Sequence, residues 1–158
     1  VIATASPEKL DQLKELGADY AVDHRKEDWH KEVFKISKEL AKEKGEAPGI
    51  DVIFEHIGGS HFNKELTLLK YGATMVTTGA TTGYDVPADL RQIFFKGINI
   101  LGSTQGTRAE LEEGFYWMGQ GKIKVIIDSE YTFENAVEAH NKMLNGKGLV
   151  GKIILKPE

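Results

Sequence analysis

Cysteine is absent from all 158 residues and proline occurs only four times. No apolar run approaches the roughly 20 residues that a membrane-spanning helix needs. Without cysteine, a disulfide framework and any thiolate metal site are excluded from this chain, and a reducing, cytoplasmic setting fits. The opening residues carry no signal-peptide pattern. There is no basic stripe or acidic block, and the formal net charge is −4, so neither nucleic acid nor a membrane surface is an expected partner. At 41% hydrophobic and 28% charged residues, the composition is that of an ordinary globular domain with a sizeable core. An initiator Met is also missing. The chain opens on Val1-Ile2-Ala3-Thr4, a β-prone run that reads as starting inside a longer fold.

Short apolar runs alternate with helical patterns. Residues 1–4 predict a strand. Ser6-Pro7 opens a helix, with Ser at the N-cap and Pro in the first turn, and Gly17 stands where that helix should end. Residues 20–22 predict a second strand. A long amphipathic helix over 26–44 follows, with Trp29, Val33, Ile36 and Leu40 on its apolar side and Gly45 after it. Asp51-Val52-Ile53-Phe54 predicts a strand buried on both faces. Residues 60–70 read as a helix ended by Gly72, and 73–78 as the next strand. Helices over 88–96, 107–119 and 133–144 and strands over 98–101, 125–127 and 150–155 complete the pattern. This alternation predicts an α/β fold with a parallel sheet and helical crossovers, with a boundary near Gly119-Gln120-Gly121-Lys122.

In such a sheet, ligands bind beyond the carboxyl ends of the strands. The segments there are Ala5-Ser6-Pro7-Glu8-Lys9, Asp23-His24-Arg25, Glu55-His56-Ile57-Gly58-Gly59, Gly79-Ala80-Thr81-Thr82-Gly83 and Gly102-Ser103-Thr104. Small residues let a cofactor approach the backbone. In a dinucleotide fold that prefers NAD, the first of these strands ends in an acid that accepts from the ribose 2′-hydroxyl. Ala5 and Ser6 stand there instead, with Lys9 one turn on. A hydroxyl and an ammonium suit a 2′-phosphate, and His24 and Arg25 could add donors. The plainer alternative makes Ser6 only a helix cap and the cations only solvated charges. Glu55-His56 is a weak candidate for acid–base work, because neighbouring residues of an extended segment point to opposite sides. No metal-ligand spacing is present. Lys152, in the 146–152 segment, reads as an edge charge.

The motifs Leu16-Gly17-Ala18-Asp19, Val22-Asp23-His24-Arg25, Asp51-Val52-Ile53-Phe54-Glu55-His56-Ile57-Gly58-Gly59, Tyr71-Gly72-Ala73-Thr74-Met75-Val76-Thr77-Thr78-Gly79, Ile100-Leu101-Gly102-Ser103 and Gly151-Lys152-Ile153-Ile154-Leu155 resemble, in order and spacing, the C-terminal half of medium-chain dehydrogenases and reductases. The variants present look closest to the quinone oxidoreductase-like, crotonyl-CoA reductase-like and zinc-type alcohol dehydrogenase-like members.

The resemblance implies a Rossmann-type doubly wound parallel sheet over residues 1–122 that lacks its first strand and the glycine-rich pyrophosphate turn. It also implies a strand–helix–strand over 123–158 that belongs to a catalytic domain. It further implies NADP as cofactor and hydride transfer to a carbonyl or activated double bond of a small-molecule substrate, the fragment alone being inactive. By position, Ser6 and Lys9, with His24 beside them, would contact the 2′-phosphate. Ile57 and Gly58 would line the adenosine side. Gly79, Ala80 and Thr81 would face the nicotinamide ribose, and Gly102, Ser103 and Thr104 the carboxamide. No residue here is expected to be catalytic or to bind metal. A homodimer would form through the edge strand that runs from Ile98 to Leu101. The competing expectation is a non-catalytic structural or dimerisation module of the same fold.

Overall fold

The computed structural model describes residues 1–146 and 148–157; Lys147, in the 146–152 segment, and Glu158, at the end of the 123–158 segment, lie outside the described residues. Strands and helices alternate as the sequence predicts: β1 (Ile2–Ala5), α1 (Leu10–Glu15), β2 (Tyr20–Asp23), α2 (Trp29–Lys44), β3 (Ile50–Glu55), α3 (His61–Leu68), β4 (Leu69–Thr77), α4 (Leu90–Lys96), β5 (Asn99–Gly102), α5 (Arg108–Gly119), β6 (Ile127–Thr132), α6 (Ala136–Asn145) and β7 (Lys152–Lys156). The chain forms two units, one of Val1–Arg25 with Gly106–Glu158, the other of Lys26–Gln105.

Every ladder is parallel. The strand orders are β1-β2, β3-β4-β5 and β6-β7. Parallel strands joined through helices are the α/β pattern expected from the sequence, and within each unit the strand order agrees with part of a doubly wound sheet. β6 and β7, joined across α6, form the expected strand–helix–strand.

In the first unit, a 3-10 turn over Pro7–Lys9 leads into α1. Gly17 then closes α1 at φ 106°, donating its N–H to the Lys14 carbonyl at 3.0 Å; only glycine takes that backbone geometry without strain. Thr107 starts α5 with a reciprocal cap: its hydroxyl accepts from the Glu110 N–H at 3.3 Å, and the Glu110 carboxylate accepts from the Thr107 N–H at 2.6 Å. Thr107→Ala is expected to lower stability by about 1 kcal/mol, read as a shift of the urea midpoint at unchanged slope.

In the second unit, α3 and α4 pack on the sheet around Leu66, Leu69, Ala73, Met75 and Ile98, with Ile53, Phe62, Ala88 and Ile93 at the margin. α2 packs against α3 and buries Trp29, Val33, Ser37 and Ala41. Ile36 and Leu40 are only half-buried, so the covered stripe follows strict four-residue steps. Ser37 is tolerated there because its hydroxyl donates to the Phe34 carbonyl at 2.7 Å and accepts from the Gly49 N–H at 3.2 Å.

Three expectations are corrected. β3 is not buried on both faces: Val52 and Phe54 are 50% and 77% exposed, because only the Ile53 face meets the core. Gly72 does not end α3. The helix stops at Leu68 and β4 begins at Leu69, with Gly72 at φ 72° inside the strand, where the pairing register with β3 shifts. The strand expected over 125–127 instead runs Ile127–Thr132; Ser129 and Glu130 pair with β7, Asp128 sits at the register shift and is held by Lys142, and Lys156 meets Glu130.

Candidate functional site

In the second unit, the register places Glu55 opposite Thr77 and Thr77 opposite Gly102, so three parallel strands end at one level. The turns beyond them form an open cleft of about 770 Å³ lined by Thr77, Thr78, Gly79, Ala80, Gly102, Ser103, Thr104 and Gln105. Five candidates from the sequence, Gly79, Ala80, Gly102, Ser103 and Thr104, are brought together here. The Ser103 N–H donates to the Thr77 carbonyl at 2.9 Å, which carries the pairing of β4 and β5 into the cleft floor.

Ile57, Gly58 and Thr81 lie in the loops that shape this cleft, outside its lining. The two loops are bound main chain to main chain. The His56 carbonyl accepts from the Thr81 N–H at 3.1 Å and from its hydroxyl at 2.8 Å; the Ile57 carbonyl accepts from the Thr82 N–H at 2.8 Å and hydroxyl at 2.9 Å. The Gly59 N–H donates to the Gly83 carbonyl at 3.0 Å. Gly58, at φ 68°, passes so close that a Cβ there would stand 2.3 Å from the Gly83 carbonyl oxygen.

Glu55, the last residue of β3 and only 2% exposed, grips the turn from beneath. Its Oε1 accepts from the N–H of Ile57 at 2.6 Å and from the N–H of Gly58, and its Oε2 accepts from the Thr77 hydroxyl at 3.0 Å. Three donors to one buried carboxylate satisfy most of its acceptor capacity. Glu55 is thus a scaffold for the cleft and not an acid–base group facing it. From the sequence Glu55 stands beside His56 as a weak catalytic candidate, and Thr77, Thr78 and Gln105 of the cleft lining go unnamed as site residues. The available signal was an acid directly before an Ile-Gly-Gly turn, whose N–H groups need an acceptor. A second buried acid, Glu65 on α3, is 8% exposed, and its Oε2 has no hydrogen-bond partner. Burial first, then the negative charge of Glu55, push its carboxyl up to about 7.

In the first unit, Ser6 and Lys9 flank the turn after β1, where the Lys9 N–H donates to the Ser6 carbonyl at 3.0 Å. His24, after β2, joins them through its N–H on the Ala5 carbonyl at 3.1 Å. Ser6 holds the cap position and is 7% exposed, yet its side chain makes no cap bond to the backbone; it hydrogen-bonds the Glu8 carboxyl. Glu8 is held below the usual carboxylate range by a backbone hydrogen bond, by Ser6 and by Arg25. The Arg25 guanidinium meets Glu8 with two bonds, of 2.9 and 3.2 Å. Arg25 is therefore already engaged, while Lys9 makes no ion pair among the described residues.

Among the described residues no group of three or more His, Cys, Asp or Glu side chains could hold a metal ion, and no helix is long and apolar enough to cross a membrane.

Comparison with known proteins places this geometry. The profile of the family described as zinc-binding dehydrogenase matches residues 1–120. The quinone oxidoreductase of Pongo abelii is 35% identical over 133 residues, 80% of this chain and 39% of that protein. The crotonyl-CoA reductase of Streptomyces collinus is 28% identical over 171 residues, 100% of this chain and 38% of that protein. A solved NAD-dependent alcohol dehydrogenase superposes with a TM-score of 0.84 at 29% identity, covering 99% of this chain and 43% of that one. The chain thus spans about two-fifths of the length of these relatives. The zinc of the family's description finds no ligand set among the described residues. Matched over most of its length in sequence and nearly all of it in backbone, the chain belongs to the zinc-binding dehydrogenase family, within the medium-chain dehydrogenases and reductases that its strand-end motifs resemble.

Proposed function

We propose that this chain is the cofactor-binding portion of an NADPH-dependent oxidoreductase acting on a carbonyl or activated double bond, in a quinone, enoyl or aldehyde/alcohol substrate. The observation that carries the reading is the cleft at the level ends of β3, β4 and β5, walled by main chain, hydroxyls and residues too small to obstruct a flat ring. When bound, the nicotinamide supplies the hydride chemistry. The chain's own residues bind and orient: Gly79, Ala80 and Thr81 toward the nicotinamide ribose, Gly102, Ser103 and Thr104 toward the carboxamide, and Ile57 and Gly58 along the adenosine side. Residues 123–158 would belong to the catalytic domain of the whole protein.

Preference for NADP over NAD rests on the turn after β1. Ala5 ends the strand where an NAD-preferring fold has an acid, Lys9 makes no ion pair among the described residues, and the His24 N–H holds the Ala5 carbonyl. The nearby carboxylate, Glu8, is neutralised by Arg25. In the full-length protein, Lys9→Ala is expected to weaken NADPH binding by about 1–3 kcal/mol, the range for charge-assisted hydrogen bonds, and to leave NADH nearly unchanged. Fluorescence titration with both cofactors decides it: equal losses, or none, remove Lys9 from a phosphate site.

One observation favours an assembly role beside this. β5 pairs with β4 alone in its ladder, and Ile100 and Leu101 are 38% and 53% exposed. An edge of that kind pairs readily with a second copy, so a homodimer through β5 is part of the proposal. If neither cofactor raises the melting temperature at millimolar concentration, a purely structural module becomes the better account.

A further inference from the structure

Two acids are buried in the second unit, and the proposed reaction uses neither. Glu55 ends β3 with its carboxylate clasping the Ile57 and Gly58 N–H groups and the Thr77 hydroxyl. Glu65 projects from α3, the helix packed on β3 and β4, and keeps a buried oxygen with no partner. A buried carboxyl beside a buried carboxylate is stable only while one of the two holds a proton. The clasp engages both Glu55 oxygens with donors, so the proton belongs on Glu65.

We propose that Glu65 is the proton-holding partner of Glu55, and that loss of this proton loosens the Glu55 clasp and with it the grip of the cleft on a nicotinamide dinucleotide. When the Glu65 proton leaves to solvent, two negative charges share one poorly solvated region. Relief requires water or displacement of the Glu55 carboxylate, and either weakens the hold on the Ile57 and Gly58 amides. Those amides fix the turn to which the Thr81 and Thr82 bonds are anchored, so the disturbance reaches the cleft wall. Glu55 thereby acts as a positioning residue, and Glu65 sets its charge environment.

The other charged groups on the surrounding elements are engaged elsewhere. Lys64 donates to the Glu27 carbonyl, Lys96 on α4 to the carbonyls of Leu66, Thr67 and Leu69, and Lys70 on β4 to Asp51 and Glu46. His61 stacks on Trp29, and His30 on α2 is pushed down by its burial and then by Lys64 and Lys31.

The affinity half of this proposal rests on the reading of the cleft as a cofactor site, so the test carries a readout without cofactor. In the full-length protein, the Glu65 carboxyl and the Gly58 amide are followed by NMR against pH, and NADPH and NADH affinities are measured over the same range in wild type, Glu65→Gln and Glu55→Gln. The Gly58 amide should move together with Glu65 in wild type and hold still in Glu65→Gln. Glu55→Gln should move the Glu65 midpoint to lower pH. Relative to Glu65→Gln, wild-type affinity should fall by up to about tenfold between pH 6 and pH 8, the most that one linked proton with its midpoint near 7 allows over that range. An amide titration identical in wild type and Glu65→Gln, an unmoved Glu65 midpoint in Glu55→Gln, or parallel affinity profiles would each overturn the proposal. Failure of both cofactors to bind at every pH would instead overturn the cofactor reading and the affinity half together, leaving the amide titration to decide the carboxyl pair.

Discussion

Gly58→Ala is expected to destabilise the Lys26–Gln105 unit by about 2–5 kcal/mol, the sum of a left-handed backbone penalty and an overpacking penalty, and, on the proposed reading of the cleft, to lower nicotinamide dinucleotide affinity with it. Two independent features make this position intolerant. Its φ of 68° lies where a Cβ costs energy whatever the space around it. The added carbon would also stand 2.3 Å from the Gly83 carbonyl oxygen and 3.3 Å from Ala80 Cα, main-chain atoms that no rotamer change can move aside. Relief means separating the two loops, which breaks the Gly59–Gly83 hydrogen bond and pulls the Gly58 N–H from Glu55. Gly72→Ala is the matched control. Gly72 has nearly the same φ, 72°, with nothing within 4 Å of its added carbon, so it should lose only the backbone part, about 1–2 kcal/mol. Urea unfolding of both variants measures the difference, and equal losses would sink the crowding argument.

Glu65→Gln should stabilise the protein above neutrality and do nothing in acid. The folded-state value of this carboxyl is raised from 4.5 to about 7. Between those two values the folded chain keeps a proton that the unfolded chain has lost, so stability falls as pH rises through that window and then levels off. The full cost at pH 8 is up to about 3.5 kcal/mol, at about 1.4 kcal/mol for each pH unit that separates the folded and unfolded values. A glutamine has no proton to lose, so the gain should be close to that figure at pH 8 and vanish near pH 4. Glu8, Asp89, Asp128 and Glu110 shift the other way, held below their ordinary values by hydrogen bonds and, for the first three, by a neighbouring Arg25, Arg91 or Lys142. What they contribute is present above their unfolded values and is lost as pH falls through their lowered ones. The two effects therefore occupy different parts of the profile. Urea midpoints taken at both ends separate them, and an equal gain at pH 4 and pH 8 would show that the stabilisation has nothing to do with ionisation.

The fold was legible where a residue's local chemistry and its tertiary fate agree. Trp29 and Val33 in four-residue steps, with Gly45 in the left-handed conformation behind them, marked α2 unambiguously. Gly17 ended α1 where an unstrained left-handed residue was required. The tips of β3, β4 and β5 were legible too, because glycines or hydroxyls cluster after them. Misreadings arose where tertiary context overrode local pattern. Val52 and Phe54 look like core residues and are exposed, since apolarity does not tell which face of a strand will be covered. Gly72 looks like a helix stop and is a strand irregularity. Asp128, Ser129 and Glu130 look like a loop and form β6, because the ladder with β7 supplies what propensity does not. The roles of Glu55 and Glu65 were least visible of all. A buried carboxyl is written with the same letter as a solvated one, and only three-dimensional packing brings the two together.

The cleft wall also bears on how such a protein diversifies. Its shape is set by peptide groups, the hydroxyls of Thr77, Thr78, Thr81 and Thr82 and one hidden carboxylate, while His56, Ala80 and Tyr84 are exposed and their side chains make no hydrogen bond in that framework. Mutational drift can therefore try new chemistry at the rim while the scaffold beneath stays constant. Selection for a different guest molecule need not put folding at risk.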